Sequence, residues 1–124
     1  MYLTQKDIGE VQLAKAAIAA GIHLLMKQLG ITEKDIDRVY IAGAFGNYMN
    51  PESAAEIGMF PLSLLDKITP VGNAAGEGAK TALLNAQERK EMNQVVRNIE
   101  FVELAASPEF QDCFVDELCF PEME

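Results

Sequence analysis

The sequence predicts an α/β domain in which a small, mostly parallel sheet is flanked by helices. Helical and strand patterns alternate along the chain, which is typical of a parallel sheet covered by helices. Two of the strand candidates run directly into glycine-bearing turns that open helices. Only three strands are predicted, fewer than most sheets contain. We therefore expect the chain to be one part of a larger protein.

The first helix is predicted from Thr4 to Leu29. Thr4 and Asp7 have the spacing of a capping box, in which each side chain bonds the other residue's backbone N–H. Gly30 stands where a left-handed C-terminal cap is expected. Apolar residues recur at steps of three and four along the helix, so they share one face, which we expect to be buried. They are Ile8, Val11, Ala14, Ile18, Ile22, Leu25 and Leu29.

A buried strand is predicted at residues 39–42, after a short turn that begins with a second capping pattern at Thr32. The segment 43–50 is interpreted as a loop. Asn50, Pro51 and Glu52 then have the order of an N-cap, a first-turn proline and a first-turn acid, which opens a helix closed by Gly58.

The second half of the chain repeats this alternation of strand and helix. A strand at residues 67–71 is predicted to pair in parallel with the strand at 39–42, with the first helix packed across both. A helix over 74–84 has a small-residue face made by Ala75, Gly76, Ala79 and Ala82, which would admit another backbone closely. Further patterns predict a helix over 86–97, a strand over 99–104 and a last helix that Ser107 caps and that reaches about Leu118.

Composition and charge exclude several classes of function. The chain has 124 residues and a net charge of −9, which opposes binding to nucleic acid or to an anionic membrane surface. One domain over residues 1–124 fits this length. Charged and polar residues interrupt every apolar run, and the N-terminus lacks a signal pattern, so neither a membrane span nor secretion is expected. We expect a cytoplasmic protein with reduced cysteines.

The strongest candidate site is the turn after the first strand. It comprises Gly43, Ala44, Phe45, Gly46 and Asn47. In open α/β sheets, ligands bind outside the carboxyl ends of strands, and glycine lets a ligand approach the backbone. The turn matches neither a Walker loop nor the dinucleotide fingerprint. By spacing alone, a ligand site and a tight strand-to-helix connection remain open.

A second glycine-bearing turn contains Gly72 and Asn73 and again follows a strand and enters a helix. Two such turns in one small parallel sheet would flank a single crevice. Other candidates are weaker. His23 is the only histidine, and Cys113 and Cys119 have no metal-ligand spacing, so the sequence names no catalytic residue and no metal ligand.

The segment 36–46, which joins the predicted strand to its glycine turn, resembles the adenosine motif of the superfamily of acetate and sugar kinases, heat-shock chaperones and actin. The segment 71–79 resembles the small-residue helix that closes the same subdomain. The chain is most similar to the C-terminal part of the reductive activators of corrinoid proteins. The blocks that carry this likeness are 3–8, 14–16, 42–48, 51–54, 71–76, 108–111 and 119–121.

The resemblance implies a partial actin-like ATPase subdomain that binds ATP or ADP, with magnesium in the parent protein. Such activators return an inactive Co(II) corrinoid protein to Co(I), and an iron–sulfur cluster supplies the electron. This chain has neither the cysteines for a cluster nor visible phosphate-binding loops, so both are expected in missing upstream segments. The turn 43–47 would bind the ribose or α-phosphate, and Phe45 or Ile57 would pack near the base. The chain alone would not be a competent enzyme.

Two alternatives stay open. The chain could be an interaction module that docks on a corrinoid protein or on its own twin without binding nucleotide. Alternatively, it could belong to an activator of a dehydratase in the same superfamily. Because two strands need covering elements along their edges, self-association as a twofold dimer is also expected.

Overall fold

The computed structural model describes residues 2–104 and 106–122, and the predicted α/β class is confirmed. Two 3₁₀ turns, Glu33–Asp35 and Leu62–Lys67, precede the strands. The helices and strands are α1 (Gln5–Leu29), β1 (Val39–Ala42), α2 (Gly43–Tyr48), α3 (Pro51–Glu56), β2 (Ile68–Gly72), α4 (Ala74–Leu84), α5 (Ala86–Val96) and α6 (Pro108–Asp116).

The sheet is the parallel pair of β1 and β2 that the sequence predicts. The predicted burial of the first strand is wrong, because the residues of β1 alternate between half-buried and exposed. The predicted strand at 99–104 is wrong, because this described segment has no regular secondary structure. Ile99 and Phe101 are exposed, so the alternating pattern there does not mark a buried face. An alternating pattern specifies a strand only where one face is buried and an edge is available for pairing.

The predicted loop at 43–50 is also wrong in part, because α2 occupies residues Gly43–Tyr48. Gly43 has a φ of 74°, which lets the extended chain of β1 turn into a helix without an intervening loop. Asn50 caps α3 as predicted, and its side chain accepts a hydrogen bond from the N–H of Ser53. The helix ends at Glu56, slightly before Gly58.

The chain groups into two compact units by packing. The first comprises the described parts of 1–39, 50–68 and 103–124, and the second comprises 40–49 and 69–102. The first unit contains α1, α3 and α6, and the second contains α2, α4 and α5. The single domain over residues 1–124 stays a prediction.

The caps of α1 form as the sequence predicts. The N–H of Thr4 donates to Oδ2 of Asp7 at 2.8 Å, and the N–H of Asp7 donates to Oγ1 of Thr4 at 3.2 Å. The hydrogen bonds from the Thr4 hydroxyl and N–H hold the pKa of Asp7 below its usual value. At the other end, Gly30 adopts the left-handed conformation. The long first helix is therefore fixed at both ends by local chemistry.

The buried face of α1 differs from the predicted one. Ile18 and Leu25 are 37% and 39% exposed, and Ile22 is only half-buried. The core face instead carries small residues and one lysine: Lys15, Ala16, Ala19, Ala20 and Gly21. Small side chains allow close approach, and a Cβ on Gly21 would lie 3.6 Å from the side chain of Leu104. Close packing therefore selects the alanine face over the bulkier apolar one.

Helix α1 packs against α6 in the first unit. Nε2 of Gln12 donates to the carbonyl of Leu118 at 3.0 Å, and Nζ of Lys15 donates to the carbonyl of Cys119. Among the described residues, α1 is also the one helix long and apolar enough to cross a membrane by length and composition. The buried Lys15 and the polar bonds to the end of α6 fit a helix that packs one face against another helix of a folded unit.

Candidate functional site

The candidate site lies at the carboxyl edge of the sheet. Because β1 and β2 are parallel, their last residues meet at the same edge. Gly43 follows β1 and Gly72 ends β2, and both have positive φ, 74° and 58°. Helix α2 begins at Gly43, and α4 begins at Ala74. Both strands therefore turn abruptly into helices at one edge, as the two glycine turns predict.

The structure brings the two predicted turns together. A Cβ built on Gly46 would lie 3.4 Å from the backbone nitrogen of Gly72, and one built on Gly72 would lie 3.3 Å from Oδ1 of Asn47. The Cβ on Gly46 would also lie 2.2 Å from the carbonyl oxygen of Ile41. Glycine at position 46 is therefore required by the close approach of α2 to its own strand. Of the two roles that the spacing left open for this turn, the tight strand-to-helix connection accounts for Gly46.

Asn73 is the N-cap of α4. Its Oδ1 accepts a hydrogen bond from the N–H of Gly76 at 3.0 Å, and a Cβ on Gly76 would lie 2.4 Å from Nδ2 of Asn73. The side chain of Asn73 is therefore folded over the first turn of α4. The small residue at 76 serves this cap, in addition to any packing role of the small-residue face.

Exposure divides six of the seven predicted site residues into two groups. Gly43, Ala44, Asn47 and Asn73 are exposed, while Gly46 and Gly72 are half-buried. The backbone of Phe45 lies in α2, but its side chain lies outside what the structure describes, so its predicted packing near a base stays a prediction. Ile57, the other residue predicted near a base, is half-buried in the first unit.

The chemistry of these seven residues is that of binding and not of catalysis. None has a titratable side chain, so the group offers no acid, base or nucleophile. It offers exposed backbone, the Asn47 amide and the N-terminus of the 11-residue helix α4, whose orphan N–H groups and dipole favour an anion. A Cβ on Gly43 would meet nothing within 4 Å, so the backbone there is open to an approaching group. These features fit an anionic ligand held by main-chain contacts.

The structure also contains a polar cluster that was not predicted from the sequence. Nδ1 of His23 lies 2.9 Å from Oε1 of Glu117 and 4.0 Å from Sγ of Cys113. Cys113 and Glu117 are four residues apart at the end of α6, a spacing that was visible in the sequence. His23 lies 90 residues before Cys113, and only the packing of α1 against α6 brings it to them.

The electrostatics of this cluster act on the thiol of Cys113. Partial burial raises its pKa above the usual value, and the neighbouring carboxylates of Glu117 and Asp116 raise it further. Lys27 acts in the opposite direction, but more weakly. The thiol is therefore held in its protonated form, and it is a poor nucleophile at neutral pH.

Comparison with known proteins gives consistent matches over nearly the whole chain. Residues 1–124 match the family described as the C-terminal domain of RACo, the ASKHA domain. The corrinoid activation enzyme RamQ of Eubacterium limosum is 40% identical over 115 residues, which cover 93% of this chain and 19% of that protein. A [Co(II) methylated amine-specific corrinoid protein] reductase of Methanosarcina barkeri is 28% identical over 120 residues, covering 95% of this chain and 22% of that protein.

A solved structure also matches nearly the whole chain. The protein described as a reductive activator for corrinoid,iron-sulfur protein superposes with a TM-score of 0.86 at 36% sequence identity. The match covers 96% of this chain and 19% of that one. The chain thus spans about a fifth of the length of each of these relatives.

Proposed function

The chain belongs to the family of C-terminal ASKHA domains of RACo, and on that premise we propose that it forms the adenosine side of the nucleotide site in a corrinoid-activating protein. The names of the relatives support corrinoid proteins as the target, and one relative is named as a reductase of the Co(II) form. The parent protein would deliver one electron to Co(II) and so form Co(I). It would act on a corrinoid protein in the cytoplasm.

The observation that carries the nucleotide assignment is the convergence of two glycine turns at one sheet edge. Gly43 and Gly72 end the two strands, and Asn47 lies against Gly72. Backbone N–H groups at 43–47 would donate to the ribose or the α-phosphate, and the N-terminus of α4 would favour the negative charge. ATP with magnesium supplies the free energy that makes an uphill electron transfer possible. The iron–sulfur cluster and the phosphate-binding loops would belong to other segments of the parent.

Two other functions were left open by the sequence. A dehydratase activator is less well supported, because the names of the three relatives described above all refer to corrinoids or corrinoid proteins and none refers to a dehydratase. An interaction module that docks on a corrinoid protein without nucleotide differs from the proposal in one measurable property, which is ATP affinity.

Replacing Ala44 with phenylalanine should weaken ATP binding to the full-length parent by at least tenfold. Ala44 is exposed at the start of α2, so a large side chain there would obstruct a ligand while leaving the fold intact. Calorimetric titration with ATP measures the dissociation constant of the parent. The isolated 124-residue chain should bind ATP weakly or not at all, because the triphosphate-side loops are expected elsewhere.

The matched control is Ala86→Phe in the same unit. Ala86 is also exposed, and it follows α4, whose 11 residues separate it from the sheet edge by about 16 Å along the helix axis. This variant should keep the parent's affinity. Equal affinities for the two variants would contradict the adenosine site, and an absence of ATP binding by the parent itself would favour the interaction module.

We also propose that the isolated chain self-associates. Four of the apolar residues of α1 that the sequence placed in the core are exposed on one face: Val11, Ile18, Leu25 and Leu29. Contiguous apolar surface of this kind commonly marks a protein contact. Light scattering at several concentrations in moderate salt should give a mass above 13.6 kDa that rises with concentration. A constant monomer mass would show that the exposed face does not drive association.

A further inference from the structure

Three side chains converge where α6 packs on α1 in the first unit. His23 Nδ1, Cys113 Sγ and a carboxylate oxygen of Glu117 all lie within 4.8 Å of one another. Among the described residues, this is the one group of three histidine, cysteine or acidic side chains with such spacing. The cluster lies within a single unit and shares no residue with the predicted nucleotide turns, so the proposed function leaves it unexplained.

The three donor atoms have the chemistry and the approximate separations that a tetrahedrally coordinated cation needs. Zinc binds thiolate, imidazole and carboxylate, with metal–ligand distances that place neighbouring ligands about 3.3 to 3.6 Å apart. The separations from His23 Nδ1 to Glu117 and to Cys113, 2.9 Å and 4.0 Å, bracket this range, and Cys113 and Glu117 offer donor atoms within 4.8 Å of each other. Small rotations of these exposed or half-buried side chains would bring all three donor atoms to bonding distance from one zinc ion. Mixed nitrogen, sulfur and oxygen ligands favour zinc over magnesium or calcium, which take oxygen ligands.

The charges around the cluster are compatible with a cation. Lys15 forms an ion pair with the cluster, since its Nζ lies 3.9 Å from Oε2 of Glu117. It therefore faces the carboxylate oxygen opposite to the one beside His23, and its hydrogen bond to the carbonyl of Cys119 orients it there. Lys27 pairs with Glu109 at 3.5 Å, while Asp116 adds negative charge near the thiol.

The cluster also opens onto a cavity. His23 and Glu117 line a space of about 230 Å³ whose other walls include Ala19, Ala55 and Phe60. A metal ion held by three side chains at the rim of this space would keep its fourth position free for water or another small ligand. Zinc sites with three protein ligands and one open position are a recognised class.

We propose that His23, Cys113 and Glu117 form a zinc site that links α1 to α6, with its fourth ligand position open to the cavity. Binding replaces the proton on the Cys113 sulfur, so one proton is released to solvent for each thiolate–zinc bond formed. The hydrogen that lies between Nδ1 of His23 and Oε1 of Glu117 in the metal-free chain moves to Nε2 or to solvent, so Nδ1 and Oε1 can complete the protein ligands. The site joins two helices that are far apart in sequence, so zinc binding stabilises their packing.

Cobalt(II) and zinc(II) titrations of the 124-residue chain test this site. Cobalt(II) should bind with a stoichiometry of about one and give a thiolate-to-cobalt charge-transfer band, which zinc should then abolish by displacement. Zinc should also raise the thermal unfolding midpoint of the chain. Cys113→Ser and His23→Gln should each weaken zinc binding by at least about tenfold, since loss of even an outer partner of a metal ligand costs about that much.

The matched control is Cys119→Ser, which removes the other cysteine of the chain but no proposed ligand. This variant should keep the charge-transfer band and the zinc affinity of the wild type. Circular dichroism in the presence of a chelator establishes that each variant is folded before metal is added. An unchanged affinity in folded Cys113→Ser, or an equal loss in Cys119→Ser, would overturn the site, as would a cobalt spectrum without the thiolate band.

Discussion

Replacing Gly46 with alanine is expected to destabilise the chain by about 3 kcal/mol, at the upper end of the usual range for overpacking. The added Cβ would lie 2.2 Å from the carbonyl oxygen of Ile41 and 3.1 Å from its carbonyl carbon. Both atoms are backbone of β1, so neither can move aside by a side-chain rotation. The start of α2 would have to shift away from the strand, which would disturb the contact between Gly46 and Gly72.

Urea unfolding followed by circular dichroism measures this loss, and Gly78→Ala is the matched control in the same unit. Gly78 lies inside α4, and a Cβ there would meet nothing within 4 Å. Alanine at this position should stabilise the helix by about 0.5 to 1 kcal/mol. If Gly46→Ala unfolded at the same urea concentration as Gly78→Ala, the close approach of α2 to β1 would be refuted.

The close approach of position 46 to the backbone of β1 also affects the choice of a variant for testing nucleotide binding. If glycine at 46 served only to admit a ligand, Gly46→Val would weaken ATP binding in the parent by more than tenfold, because a side chain would keep the ligand away from the backbone. In the structure, a side chain at 46 meets protein backbone before it meets a ligand. A loss of affinity in that variant would therefore report damage to the fold, whereas Ala44→Phe acts at an exposed position.

The local signals of the sequence were sufficient for the two strands and for the helix that follows the second strand, but not for α2, which was predicted as a loop. The capping box at Thr4, the N-cap at Asn50 and the two strand-to-glycine turns depend on neighbouring residues, so they could be predicted without a tertiary structure. The same turns placed Gly43 and Gly72 at one edge of a parallel pair. What local reasoning could not supply was the reason for glycine at 46, because the clashing atom belongs to a carbonyl five residues earlier.

The predictions that were wrong depend on tertiary packing. The periodicity of α1 is satisfied by two faces, a bulky one with Ile18 and Leu25 and a small one with Ala16 and Ala20. The partner helix packs on the small face, and nothing within α1 reveals this choice. The same packing assembles the cluster of His23 with Cys113 and Glu117. The sequence carried no signal for this cluster. It contains a single histidine and two cysteines without metal-ligand spacing, and one more glutamate in an acidic chain does not stand out as a ligand.

Replacing Lys15 with methionine should destabilise the chain by about 2 kcal/mol, although the change keeps the size of the side chain and adds no polar group. Lys15 is 1% exposed, and its Nζ donates to the carbonyl of Cys119 and lies 5.9 Å from the ring centre of Phe120. Methionine cannot donate, so it would leave this carbonyl without its hydrogen bond and Glu117 without its nearest lysine. A part-buried acceptor without a partner costs about 1 to 3 kcal/mol.

Lys27→Met on the same helix is the control for this last prediction. Its side chain is 71% exposed and pairs with Glu109 on the surface, a contact that contributes at most about 1 kcal/mol. Urea unfolding with a chelator present, so that no metal contributes, should place the Lys15→Met midpoint clearly below that of Lys27→Met. Equal midpoints would mean that the buried ammonium does not hold the end of α6 against α1. Glu117 contacts both Lys15 and His23. The packing of α6 against α1 that Lys15 stabilises therefore also determines how well the three proposed zinc ligands are held together.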